Sequence, residues 1–141
     1  MKTTINLSAN LTGLTFPVNP VAFDNEVIDT AGAFSAGSPG HIIAPSGVTM
    51  VRLEAAVRVP DSGTTGTLLP SIYKNGAETI CGTDVRRNNS AGYSNNVAFT
   101  SAPWQPCSPG DDFTVRCNVT GLGSPTSVLS GNNSYFSAEF A

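Results

Sequence analysis

The run Val48-Thr49-Met50-Val51-Arg52-Leu53-Glu54-Ala55-Ala56-Val57-Arg58-Val59 decides the fold class. Every odd position from Val51 to Val59 is apolar, and Arg52, Glu54 and Arg58 fall between them. An extended chain turns alternate side chains to opposite faces, whereas a helix would space its apolar positions by three and four. The run therefore predicts a half-buried strand. Phe113-Thr114-Val115-Arg116-Cys117-Asn118-Val119-Thr120 repeats the pattern and places Cys117 on the inward face. Tyr135–Phe140 points Phe136, Ala138 and Phe140 inward, and Val97 and Phe99 are expected to do the same in a shorter run.

Turn chemistry separates these runs. Lys74-Asn75-Gly76-Ala77 contains Asn-Gly, a pair that tolerates the positive φ angles of a type I′ hairpin. It joins a strand near 67–73 to one near 78–87. Clusters of Gly, Pro, Ser, Asn and Asp mark the other loops, including Ser38-Pro39-Gly40, Pro45-Ser46-Gly47 and Pro109-Gly110-Asp111. Strands are expected near 19–24, 40–44, 48–59, 67–73, 78–87, 95–101, 112–120 and 134–140. The fold class is all-β: an antiparallel β-sandwich, and eight short strands are the jelly-roll number. No helix longer than a turn is expected. In residues 1–15, Ile5, Leu7, Ala9 and Leu11 alternate with Asn6, Ser8 and Asn10. That segment reads as an N-terminal arm or an extra strand, and residues 16–141 as the jelly-roll domain.

Composition narrows the function. The chain has 141 residues, the size of one domain, and only 12% are charged. Ser, Thr and Asn supply 42 residues, and Lys2 and Lys74 are the only lysines. The seven basic residues are scattered and the net charge is −3, so no phosphate-binding patch forms and no nucleic-acid partner is expected. No apolar stretch approaches the roughly 18 residues of a membrane span. The N-terminus does not read as a secretory signal. The cysteines, Cys81, Cys107 and Cys117, are odd in number and lack CxxC spacing, which fits reduced, mostly buried thiols. Cys107 and Cys117 are also close enough in sequence to meet across a hairpin.

No catalytic constellation is visible. The single histidine, His41, has no carboxylate beside it in sequence, and no Gly-x-Ser-x-Gly elbow exists. One histidine and three dispersed cysteines make a poor zinc set. Asp111-Asp112 and Asp24-x-Glu26 offer the oxygens calcium prefers, but Pro-Gly-Asp is also an ordinary way to begin a strand. Phosphate-cradling glycine loops are absent. No metal, no cofactor and no enzymatic activity are therefore expected.

Several segments, in order, resemble the globular jelly-roll heads of the complement and tumour-necrosis-factor superfamily. Pro20-Val21-Ala22-Phe23-Asp24 and Asp29-Thr30-Ala31-Gly32-Ala33-Phe34 are similar to its opening. Ile43-Ala44-Pro45-Ser46-Gly47-Val48 is similar to its proline-glycine turn, although Val48-Thr49-Met50 stands where the family has an aromatic pair. Ile72-Tyr73-Lys74-Asn75-Gly76 resembles its hairpin, Pro109–Val115 the start of its penultimate strand, and Ser134–Phe140 its closing strand. The resemblance spans about residues 20–140. It implies a jelly roll and a threefold oligomer. Domains of this type also occur in tailed bacteriophages as capsid decoration proteins, head fibres and tail-fibre tips. The implied role is a virion protein, made in the host bacterial cytoplasm, that decorates the capsid surface by binding the major capsid protein lattice as a homotrimer. In that reading Ile5, Leu7 and Leu11 are candidates for an arm reaching a neighbour. The alternative is an adhesion module that grips a host glycan or protein through loops 88–96 and 124–133, with Asn88, Asn89, Tyr93 and Asn95 as candidate contacts. A chain that starts at Met1 with no shaft favours decoration.

Overall fold

The structure is a computed structural model and describes residues 1–60, 66–82, 85–87, 95–131 and 133–141. Among these there is no helix. Ten strands follow one another: β1 (Lys2–Asn6), β2 (Asn25–Asp29), β3 (His41–Ile43), β4 (Met50–Pro60), β5 (Gly66–Lys74), β6 (Ala77–Gly82), β7 (Val85–Arg87), β8 (Asn95–Pro106), β9 (Asp112–Gly121) and β10 (Tyr135–Phe140). They form two antiparallel sheets. The first has the order β2-β1-β10-β4-β8; the second has β3-β9-β5-β6, with β7 also paired to β5. This is a jelly-roll β-sandwich, as the alternation predicts. The segments exceed eight because the N-terminal run adds β1 and the expected strand at 78–87 is divided into β6 and β7.

The core lies between the sheets. Val51, Leu53, Ala55, Val57 and Val59 of β4 are all fully buried, and so are Phe113, Val115 and Cys117 of β9. Phe136, Ala138 and Phe140 of β10 meet them from the first sheet. Each large aliphatic or aromatic side chain taken from water contributes about 1.5–3 kcal/mol, so these strands supply much of the driving force. The Asn-Gly turn is also as expected: Asn75 and Gly76 have φ of 55° and 68°, and Lys74 pairs with Ala77 across it.

Three local readings differ from the sequence expectation. Residues 19–24 do not form a ladder strand; β2 begins at Asn25. Pro17 and Pro20 carry no N–H, and a ladder needs one at alternate positions. The segment still bonds to β9 of the second sheet. Val18 exchanges hydrogen bonds with Cys117, the Val21 N–H donates to the Val115 carbonyl, and Val21 and Phe23 fill the core.

The second concerns the N-terminal run, which forms the extra strand and not the arm of its two readings: β1 lies between β10 and β2 with Ile5 opposite Phe136 and Thr3 opposite Ala138 and Asp29. Ile5 and Leu7 are therefore core residues. The third is the facing of β8. Phe99 lies opposite Ala56 and Thr100 opposite Ala55. Opposed residues share a face, so Ala98, Thr100 and Ala102 point into the sandwich, while Phe99 points out. A shift of one position inverts a whole strand, and here the smaller residues take the core side.

Candidate functional site: an exposed aromatic sheet face

The outward surface of the first sheet is built from the even positions of β1 and β4, the odd positions of β10, and Phe99 and Ser101 of β8. Phe99 and Trp104 are 46% and 42% exposed, and Val27 of the edge strand β2 is 51% exposed. Val27 lies on the opposite edge of the sheet from Phe99 and Trp104, so the face carries an apolar group at each edge. Trp104 stands out from a bulge: the register between β4 and β8 shifts between Val51 and Leu53. Extra residues on one strand bend it and re-aim its side chains.

Polar groups fix this surface from within. The Arg52 guanidinium donates to the Glu139 carboxylate and sits 5.7 Å from the centre of the Trp104 ring. The Thr4 and Ser137 hydroxyls are 2.9 Å apart, and the Asn25 amide donates to the Asn6 side-chain oxygen at 2.7 Å. Burial raises the pKa of the Tyr135 hydroxyl, and the Glu54 carboxylate raises it further, so it remains a neutral donor well above neutral pH. A shallow depression of about 380 Å³ lies among Arg52, Glu54, Phe99, Ser101 and Pro103, and another of about 220 Å³ among Thr4, Asn6, Val27 and Tyr135. Aromatic anchors, one exposed arginine and a polar surround are the composition of a protein–protein contact.

The sequence-derived candidates fall elsewhere. Ile5 and Leu7 face the protein's own core, and Leu11 is pinned by reciprocal backbone hydrogen bonds to Val128. Ile5 belongs to β1, which is hydrogen-bonded on both sides, whereas Leu7 and Leu11 follow it, Leu7 buried in the core and Leu11 partly buried against it. Asn88, Asn89 and Tyr93 lie outside the described residues, and Asn95 begins β8 opposite Pro60. Cys107 and Cys117 are free thiols. Burial pushes the Cys117 thiol up to about 12, and burial and the Asp111 charge raise Cys107, so neither is a thiolate at neutral pH. The two carboxylate pairs do not converge on a cation site. Asp111 accepts from Lys74, Asn75 and Ser108; Asp112 is held by His41; Asp24 accepts from Ser8. Among the described residues no three His, Cys, Asp or Glu side chains gather.

Phe99 and Trp104 were the residues sequence reasoning misplaced or passed over. The sole tryptophan, set in Pro103-Trp104-Gln105-Pro106, was the available signal. His41 also has a carboxylate after all, from a residue 71 positions away.

No family model and no curated protein matches the chain. Solved structures do. Murine APRIL at pH 5.0 superposes with a TM-score of 0.65 at 14% identity, over 97% of this chain and 95% of that one. The pH 8.5 form gives 0.60 at 15% identity, over 98% of each chain. Eiger TNF from S. frugiperda gives 0.60 at 11% identity, over 100% of this chain and 92% of the other. The chain thus has a tumour-necrosis-factor-like jelly-roll fold along its whole length.

Proposed function

We propose that the chain is a structural protein of a tailed-bacteriophage virion, a homotrimer that decorates the outer capsid lattice and stabilises it. The observation behind the trimer is the outward face of the first sheet, where Phe99 and Trp104 are exposed on the β8 edge and Val27 on the β2 edge. The occupant is the next copy of the chain: in a threefold ring the β8 edge of one copy, with Phe99 and Trp104, meets a different part of its neighbour, and the β2 edge with Val27 is the complementary apolar strip. Lys2 and Arg52 lie among Glu54 and Glu139, so copies meeting around a threefold axis bring opposite charges within reach of one another. Burying this face adds apolar area to that of the domain's own core.

Support for the lattice comes from the remaining surface, which is poor in charge and rich in Ser, Thr and Asn. Such a surface packs on a neutral protein lattice without steep dependence on salt. Contacts of roughly 800 Å² per partner are specific, and a trimer engaging a repeating lattice adds an avidity that no single contact has. The mechanism is mechanical: bridging neighbouring capsomers raises the free energy of pulling them apart.

The test is the position of this protein in purified particles by cryo-electron microscopy. Density at threefold or quasi-threefold positions of the capsid is expected, and particles lacking the protein should rupture at lower temperature. Density confined to the tail tip would overturn the proposal in favour of an adhesion module.

A further inference from the structure

A second surface lies on the opposite sheet, at its β3 edge, and owes nothing to the proposal above. An open cleft of about 330 Å³ is bounded by the loop after β2, by β3 and by the first residue of β9. The Nδ1 atom of His41 lies 2.9 Å from both carboxylate oxygens of Asp112, and the two side chains are 33% and 31% exposed. Phe34 and Ile43 give the cleft apolar walls, and Ser35 and Ser38 contribute to its lining.

The cleft is built in advance. The Asp29 carboxylate accepts the Ala33 and Phe34 N–H groups at 3.0 and 3.1 Å and the Thr3 hydroxyl at 2.6 Å, which fixes the loop carrying Phe34. Ile43 donates its N–H to the Ala33 carbonyl, tying that loop to β3. On the other side the Asp112 N–H donates to the Asn75 side chain. A pre-formed pocket with an apolar wall and a few convergent polar groups is the usual form of a small-molecule site.

The chemistry selects the ligand. Asp112 orients His41 by accepting its Nδ1 proton, which leaves the Nε2 edge of the ring beside the remaining lone pairs of the carboxylate. A ligand must therefore bring a donor to the carboxylate and, next to it, a group able to give or receive at Nε2. It must also suit hydroxyls that give and receive, and cover Phe34 and Ile43 with C–H groups. A pyranose ring does all three. A serine–histidine–aspartate hydrolase would need a serine hydroxyl bonded to the imidazole, and no such bond joins Ser35 or Ser38 to His41 among the described residues.

We infer that the cleft beside His41 and Asp112 binds one neutral pyranose unit of a glycan, with vicinal hydroxyls on this pair and the C–H face on Phe34. The test is a titration of the isotopically labelled full chain with the methyl glycosides of glucose, galactose, mannose and N-acetylglucosamine, followed by amide NMR shifts. At least one glycoside should give saturable shifts at residues 32–38 and 41, with a dissociation constant on the order of millimolar for so small a contact. Asp112→Asn and His41→Gln should each weaken it tenfold or more, and Thr12→Ala, an exposed residue outside the cleft, should leave it unchanged. Absence of saturable shifts with all four glycosides would overturn the inference. So would unchanged binding by both Asp112→Asn and His41→Gln with native-like spectra, or saturation of the same amides by butylammonium alone, which would mark a cation site.

Discussion

Gly40 shows how one residue carries a fold. Its φ is +82°, and a Cβ there would lie 2.4 Å from the Val21 carbonyl oxygen. Both the backbone region and the space exclude a side chain. Gly40→Ala is expected to cost about 2 kcal/mol or more, read as a lower midpoint in urea unfolding with an unchanged slope. Asp111 gives a prediction in pH. Burial raises its pKa, but the Lys74 ammonium, the Ser108 N–H and the Asn75 amide outweigh burial and hold it at about 2, against 3.8 in the unfolded chain. A depressed carboxyl stabilises the fold above its unfolded pKa and loses that contribution as pH falls through the folded one. The contribution, on the order of 2 kcal/mol, should be complete at pH 5 and gone below pH 2. In Asp111→Asn, the fall in unfolding free energy between pH 4 and pH 2, read from urea midpoints, should shrink by most of this amount and keep the part set by Asp24 and Asp29, whose pKa values are lowered too. At this scale the Asn75-Gly76 turn was legible because its causes are local. The network joining Asp111 to Lys74 and the pair joining Asp112 to His41 were not, since each closes over tens of residues.

Elements were legible where one face is apolar and the other is not. β4, β9 and β10 declare themselves by alternation. The odd positions from Val51 to Val59, Cys117, Phe136, Ala138 and Phe140 are buried as the pattern predicts, although Ala56, Thr114 and Ser137 of the opposite faces are buried too. β8 was misread because Val97-Ala98-Phe99-Thr100-Ser101-Ala102 carries apolar residues on both faces. Its facing is set by register with β4, a nonlocal fact. Size misled as well: the larger residue was assigned inward, whereas the interior beside β4 takes alanines. The N-terminal run poses the reverse case. Its alternation was clear, but alternation does not say whose core it fills. Because β1 lies between β10 and β2, its removal would strip one edge of β10 and separate β2 from the sheet. Deleting residues 1–6 is expected to abolish cooperative thermal unfolding in circular dichroism. A truncated chain that melted cooperatively at the same temperature would show β1 to be dispensable.

For the whole molecule, the sandwich leaves its two sheets with different duties. The outward face of the first carries Phe99 and Trp104; the β3 edge of the second carries the His41–Asp112 cleft. Phe99→Asp combined with Trp104→Ser should convert a trimer to a monomer in light scattering, because a carboxylate at the centre of an apolar contact has no partner. Far-ultraviolet circular dichroism and the core melting transition should stay nearly intact, since both side chains already face water in the single chain. A double variant that remains trimeric would place the interface elsewhere.

The first and last strands meet in this fold. The Met1 ammonium donates to the Phe140 carbonyl at 2.8 Å, and the Phe140 N–H donates back to the Met1 carbonyl at 2.7 Å. A peptide tethered to either end thus departs from the same side of the molecule. The chain is also suited to circular permutation: a short linker can join residues 141 and 1, with new ends opened at the exposed Ser46-Gly47 turn. On a threefold assembly, such a permutant would move the three attachment points to that turn while leaving both sheets in place.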